Sequence, residues 1–335
     1  MTEHEFDWIR GLARRFGSGP LPSGDLGIGD DAALIALVPG DPASPHLALS
    51  VDAQISGVHF RPGWLTDREL GFRLFQIGFS DIAAMGARPR GALLSFEVGP
   101  GYDESRRQEF MAGFAEAAEE CGVALLGGNV SAREAGFSAH IVAVGTLPDR
   151  RALWRSAAQV GDGVFVIGRL GCASAGVHAL ASGRGDPAPA DLLLAYRRPT
   201  ARCREGRLLL ESKWAHAAID ISDGLAADLG HICEASGVGA LIDTERIPIG
   251  NVLRDWCRTD DLDPLEFALH GGEDYALLFT APPDAGSQRA VEASLSSFGA
   301  ECVRIGTVTN TGRLEARSDG RTKLLPATGH VHPLR

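Results

Sequence analysis

A chain of 335 residues, 44% hydrophobic and 22% charged, is long enough for two hydrophobic cores and has an ordinary globular composition, which excludes disordered and fibrous classes. The net charge of -11, from 43 acidic and 32 basic residues, leaves no Lys/Arg run for a nucleic-acid footprint, so a polyanionic ligand would need metal to bridge it. No apolar run approaches the ~20 residues of a membrane span, and residues 1–10 alternate charged with apolar positions rather than opening a leader, so a cytoplasmic location is expected. The cysteines at 121, 172, 203, 233, 257 and 302 form no C-x-x-C pair, and neither a zinc site nor a disulfide framework is expected from their spacing.

In chain order, alternating or continuous apolar runs predict a strand over 46–55, a helix over 70–85 and a strand over 91–98. Asp103 is placed to cap a helix running to Cys121, with Phe110, Phe114, Ala117 and Cys121 on one stripe. Strands over 122–126 and 139–147 follow. The pattern then restarts, which puts a domain boundary near 150 and divides the chain into 1–149 and 150–335. The second half reads as a strand over 163–168, a Gly-rich turn, a helix through 177–181 and a loop over 182–190. A strand over 216–222 runs directly into a helix over 223–235, and strands over 275–281 and 303–308 end the series. Each half is thus α/β or α+β.

Carboxylates recur beside glycines or at strand ends: Gly29-Asp30-Asp31, Ser50-Val51-Asp52, Ser80-Asp81, Asp220-Ile221-Ser222-Asp223 and Gly271-Gly272-Glu273-Asp274. Five such places exceed chance, and Mg²⁺, which takes oxygen ligands, would need carboxylates drawn from separate loops. Each also has a plainer reading. Asp30-Asp31 could form a turn, Asp223 could cap its helix, His59 could be a packed histidine, and Gly168-x-x-Gly171 could be a tight turn rather than a phosphate loop. Asp81 is different, because its neighbours Ile82, Ala83, Ala84 and Met85 are apolar or small and a buried charge there is costly unless it binds something.

Taken in order, Gly27-Ile28-Gly29-Asp30-Asp31-Ala32-Ala33, Ser50-Val51-Asp52 with Gly57-Val58-His59-Phe60, and Ser80-Asp81-Ile82-Ala83-Ala84-Met85-Gly86-Ala87 resemble the N-terminal half of the thiamine-monophosphate kinase family. Arg155-Ser156, Arg198-Pro199, Ile219-Asp220-Ile221-Ser222-Asp223-Gly224-Leu225 with Asp228-Leu229, and Gly271-Gly272-Glu273-Asp274-Tyr275 continue the likeness. The resemblance implies the two-domain aminoimidazole ribonucleotide synthetase-like architecture, with an N-terminal α/β domain that forms a homodimer and a C-terminal α/β domain. It also implies direct transfer of the γ-phosphoryl group of ATP to thiamine monophosphate, with Mg²⁺ and no phospho-enzyme. Carried over by position, Asp30, Asp31, Ser50, the Val51 carbonyl, Asp52, Asp81, Asp220 and Asp223 would hold metal. Arg155 and Ser222 would touch nucleotide phosphates, and His59 and Glu273 would face the thiamine. Such a reaction asks for positioning and charge neutralisation, so no nucleophilic side chain is needed.

Four positions depart from that pattern. The family's Gly-Gly-Asp appears as Gly127-Gly128-Asn129, with Gly128 and Asn129 assigned to nucleotide and metal and one negative charge lost. The usual Lys and Asn before the Ser-Asp motif are Arg73 and Gly78, and the terminal aromatic expected to stack on thiamine is replaced by Gly329-His330-Val331-His332-Pro333. Two other readings therefore stay open: a paralogue that phosphorylates another small molecule, and a weakly active nucleotide-binding protein.

Overall fold

The structure is a computed structural model, and it describes residues 9, 11, 12, 14, 15, 25–41, 43–182, 188–297 and 299–329. Strands β1 (Ala33–Ala36), β2 (His46–Ile55), β3 (Arg88–Val98), β4 (Ala124–Ala132) and β5 (Phe137–Leu147) form one sheet in the order β1-β2-β5-β3-β4. Its pairs are antiparallel except β3 with β4. The alternation in β2 buries His46, Ala48, Ser50 and Gln54 on the face covered by helices α1 (Asp67–Ala84) and α2 (Glu104–Cys121).

Thr66 and Glu69 close a capping box at the start of α1, and Asp103 caps α2 as expected by accepting from the Arg106 N–H. The two helices touch backbone to backbone: a Cβ on Gly71 would lie 1.9 Å from the Phe110 carbonyl oxygen, and one on Gly113 would lie 1.8 Å from that of Arg68. Every residue from Leu70 to Ser80 is buried, because α1 is packed by the sheet and α2 on its own side and by the second half of the chain on the other.

In the second half, β6 (Gly163–Ile167), β7 (Ala217–Ile221), β8 (Gly239–Asp243), β9 (Ala276–Ala281), β10 (Cys302–Thr309), β11 (Leu314–Ser318) and β12 (Arg321–Leu324) form a sheet in the order β12-β11-β8-β10-β6-β9-β7. Helices α3 (Cys172–Ser182), α4 (Ala190–Arg197), α5 (Cys203–Ser212), α6 (Leu225–Ser236), α7 (Asn251–Asp260), α8 (Pro264–His270) and α9 (Ala285–Ser297) accompany it. This is the two-domain α/β fold implied by the sequence. The halves are tied where Leu153 N–H donates to the Met85 carbonyl at 3.1 Å and Ala201 N–H to Gln76 Oε1 at 2.8 Å.

Several element boundaries differ from expectation. The strand expected at 122–126 is β4, shifted to Ala124–Ala132 because Gly122, in the left-handed region at φ 64°, is taken up as the cap of α2. β10 is not the last strand, since two short polar strands follow it. Asp223 does not cap α6; Gly224 does, and Asp223 stays in the loop. The loop expected over 182–190 is shortened by α3 and α4, and its residues 183–187 lie outside the described residues.

Candidate active site

Three carboxylates from distant parts of the chain converge: Asp31 ahead of β1, Asp81 in the last turn of α1 and Asp220 near the end of β7 place one oxygen each within 4.8 Å of one another. Ser50 of β2 donates to Asp81, and Ser80 Oγ donates to Asp220 Oδ2 at 2.6 Å, so the α1 terminus is tied to both halves. Asp30 lies beside them. Its Oδ1 accepts from the Asp31 N–H at 3.0 Å and its Oδ2 from the Arg155 N–H at 3.2 Å. The Arg155 guanidinium donates to Asp31 Oδ1 at 2.5 Å, whereas Asp31 Oδ2 is buried without a hydrogen-bond partner.

Such crowding is unfavourable for negative charge. Burial, then Asp31, raises Asp220 to about 7. Burial raises Asp81 well above the ordinary carboxylate range, helped by Asp220, Asp31 and Asp52. Asp30 and Asp52 are each pushed to about 6, chiefly by burial, with Asp31 adding to the first and Glu273 to the second. The last turn of α1 carries no basic residue, so Asp81 also faces the negative end of the helix dipole. A cation-accepting site is the chemistry this donor set fits: clustered hard oxygens, one of them buried and unpartnered.

A second constellation adjoins the first. Arg73, fully buried on α1, donates to Glu273, to the Tyr196 carbonyl and, at 3.3 Å, to Gln54 Oε1. Its guanidinium stacks 4.4 Å from the Tyr196 ring centroid. Burial disfavours the cation, but Glu273 and its other partners hold Arg73 above its usual range. Tyr196 Oη donates to the His59 carbonyl at 3.0 Å, Tyr275 Oη to Glu273 Oε2 at 2.9 Å, and His59 Nδ1 accepts from the Ile55 N–H at 3.1 Å. His59 and Glu273 thus stand at two ends of one Arg73–Tyr196 unit. The loop bearing Glu273 is conformationally costly, with Glu273 at φ 68° and Tyr275 at φ 48°. It is held against the Asp220 loop by the Glu273 N–H to the Ser222 carbonyl and the Tyr275 N–H to the Ile221 carbonyl, both 2.8 Å.

Not every expected site residue joins these groups. Asp223 lies with Asp228 and His231 rather than with the three carboxylates. Asn129 is paired in register with Ser95, Ser95 with His140, and His140 with Ala53, so it lies three strands, about 14 Å, from β2. By parity it shares the face of Val51 and Ala53, opposite to Ser50 and Asp52; within one chain, Gly128 and Asn129 are not brought to the carboxylates. Gly168-x-x-Gly171 is a turn whose Gly171 N–H already donates to Asp274 at 2.9 Å, with burial raising that carboxyl to about 8. Gly78 has no room for a side chain, since a Cβ would sit 2.4 Å from Ile141 Cγ2. Of the tail departure, 330–333 lie outside the described residues. Sequence reading found no signal for Tyr196 and Gln54, while Ser80 stood out only as part of the Ser80-Asp81 motif, without a role of its own, and Arg73 only as a departure.

Two sheet domains with carboxylates gathered where they meet define the class: residues 29–147 match the family AIR synthase related protein, N-terminal domain, and residues 159–319 match its C-terminal domain. The thiamine-monophosphate kinase of Haemophilus influenzae is 33% identical over 92% of this chain and 90% of that protein. The solved structure of AaThiL complexed with AMPPCP and TMP is 31% identical with a TM-score of 0.82, covering 98% of this chain and 97% of that one. That of the thiamine-monophosphate kinase from Stenotrophomonas maltophilia K279a is 34% identical with a TM-score of 0.75, covering 96% and 98%. The chain belongs to the thiamine-monophosphate kinase family.

Proposed function

We propose that the cleft of Asp31, Asp81 and Asp220 is where this enzyme moves the γ-phosphoryl group of ATP onto the phosphate of thiamine monophosphate. The activity is ATP-dependent conversion of thiamine monophosphate to thiamine diphosphate. The observation that carries the assignment is the buried, unpartnered Asp31 Oδ2 among three converging carboxylates.

Asp30, Asp31, Asp52, Asp81 and Asp220, with the Ser50 hydroxyl and the Val51 carbonyl, would hold Mg²⁺, and Asp223 would reach an ion at the nucleotide edge. Bound there, Mg²⁺ would supply charge neutralisation between two phosphates. Arg155, fixed by Asp30 and Asp31, and Ser222 would contact the nucleotide phosphates. His59 and Glu273, oriented through Tyr196 and Arg73, would position the thiamine side. The acceptor phosphate is already anionic, so these residues need only align it and exclude water.

The halves 1–149 and 150–335 act as two domains, and the open face of the first sheet supports a homodimer. A row of Val51, Val142 and Leu93 crosses β2, β5 and β3 there, with Val51 69% and Leu93 40% exposed. Gly128 and Asn129 lie on the outer strand of this sheet, so their assigned part in nucleotide and metal binding would run through the second copy. Among the described residues no helix is long and apolar enough to cross a membrane. The described cysteines are free, which accords with action in the cytoplasm.

Asp81→Asn keeps an acceptor for Ser50 but removes the charge. Turnover with Mg-ATP and thiamine monophosphate, followed by the mass of thiamine diphosphate, should fall at least about a hundredfold with the thermal transition retained. Asp220→Asn provides the second variant. Turnover close to that of the parent in either folded variant would overturn the site.

A further inference from the structure

Two of the six thiols meet at the seam between the halves. Cys121 ends α2 and Cys203 begins α5, and both line one cavity of about 910 Å³. Cys203 is buried, while Cys121 is half-buried and packs on the same hydrophobic cluster. The side chains of Cys121 and Cys203 adjoin, each shifting the other's proton affinity, and Cys203 Sγ donates to the Phe79 carbonyl at 3.7 Å. The cavity wall carries Arg88, Arg90 and Arg204, which have no ion pair among the described residues, against Glu119 and Glu120. Neither thiol takes part in the carboxylate cleft.

We propose that Cys121 and Cys203 form a redox dithiol, which an anionic low-molecular-weight disulfide entering this arginine-lined cavity converts to an internal disulfide that ties α2 to α5 across the two halves. The Cys121 thiolate attacks one sulfur of the incoming disulfide, whose S–S bond breaks and whose leaving thiolate takes a proton from solvent. Cys203 then releases its proton and attacks Cys121 Sγ, expelling the second small thiol. The two protein thiols lose two electrons, and the small disulfide gains them as two thiols. The neighbouring Cys203 thiol, with Arg204 assisting, holds the Cys121 thiol below its usual range against burial and Glu120, which suits it to attack first. The same contact and burial hold Cys203 well above its usual range, which suits it to resolve.

Incubating the folded enzyme with glutathione disulfide, alkylating the remaining thiols and mapping peptides by mass should reveal a Cys121–Cys203 linkage that dithiothreitol reverses. Cys203→Ser should instead trap one glutathionyl group on Cys121. The paired substitution Arg88→Glu and Arg90→Glu should slow the reaction with glutathione disulfide about tenfold and leave that with neutral hydroxyethyl disulfide unchanged. The parent enzyme needs no variant for the decisive reading: both thiols still open to alkylation, or a linkage to any other cysteine, would overturn the proposal. Equal slowing with the neutral disulfide would overturn the role given to the arginines.

Discussion

Arg73 shows how one side chain can join four segments. Its donors serve Glu273, the Tyr196 carbonyl and Gln54 while its flat face stacks on the Tyr196 ring, a combination that needs the planar, multiply donating guanidinium. A lysine at this position would keep the charge, but its compact ammonium could neither span all three acceptors nor stack on the Tyr196 ring. Arg73→Lys is therefore expected to lower stability by about 2–4 kcal/mol, because buried acceptors lose their partners. It should also raise KM for thiamine monophosphate more than KM for ATP, since Glu273 and the Tyr196–His59 contact lose their anchor. Urea unfolding and steady-state kinetics check both, and a variant unchanged in stability would remove Arg73 from this role. Gly78 is explained at the same scale: Ile141 occupies the space that an asparagine would need.

At the level of elements, α1 and β2 divide the work of the site. The helix delivers Ser80 and Asp81 from its final turns, and the alternation of β2 puts Ser50 on the same side while turning Val51 away. The apolar residues turned away make a continuous row on the uncovered sheet face. If that face packs on a second copy, Leu93→Asp buries two charges per dimer at its centre. Sedimentation should then report a monomer at micromolar concentration while the thermal transition of each chain persists. A parent protein that sediments as a monomer would dismiss the interface.

Across the whole molecule the cleft stores unfavourable charge. Asp30 and Asp52 at about 6 and Asp220 at about 7 all stand above the ordinary carboxylate value of 3.8. For groups raised on folding, the stabilising contribution is complete below the unfolded value near 4 and is lost as pH rises through 6 and 7, at roughly 1.4 kcal/mol for each tenfold difference in proton affinity between the folded and unfolded chain. Without divalent ions the melting temperature should accordingly decline between pH 5 and pH 8. If Mg²⁺ binds the ionised carboxylates as proposed, its addition should raise the melting temperature more at pH 8 than at pH 5. A gain that is equal at both pH values would count against carboxylate ligation.

The order of motifs alone grouped Asp30, Asp31, Asp81 and Asp220, which the fold brings close together, and the isolated charge of Asp81 among small residues was readable because burying it is costly. Alternation in β2 and the cap at Asp103 were likewise local properties, fixed by side-chain direction and a single hydrogen bond. The short strands β11 and β12 are polar and lack the apolar run that marked the comparably short β6 and β7, and the extent of β4 depended on pairing with β3. Only the tertiary structure decided that Asn129 faces away from the carboxylates, that Arg73 binds Glu273, and that Cys121 meets Cys203 despite a spacing that gave no hint of it. Those are contacts between segments far apart in the chain, and their energies arise from packing and register, which no local pattern encodes.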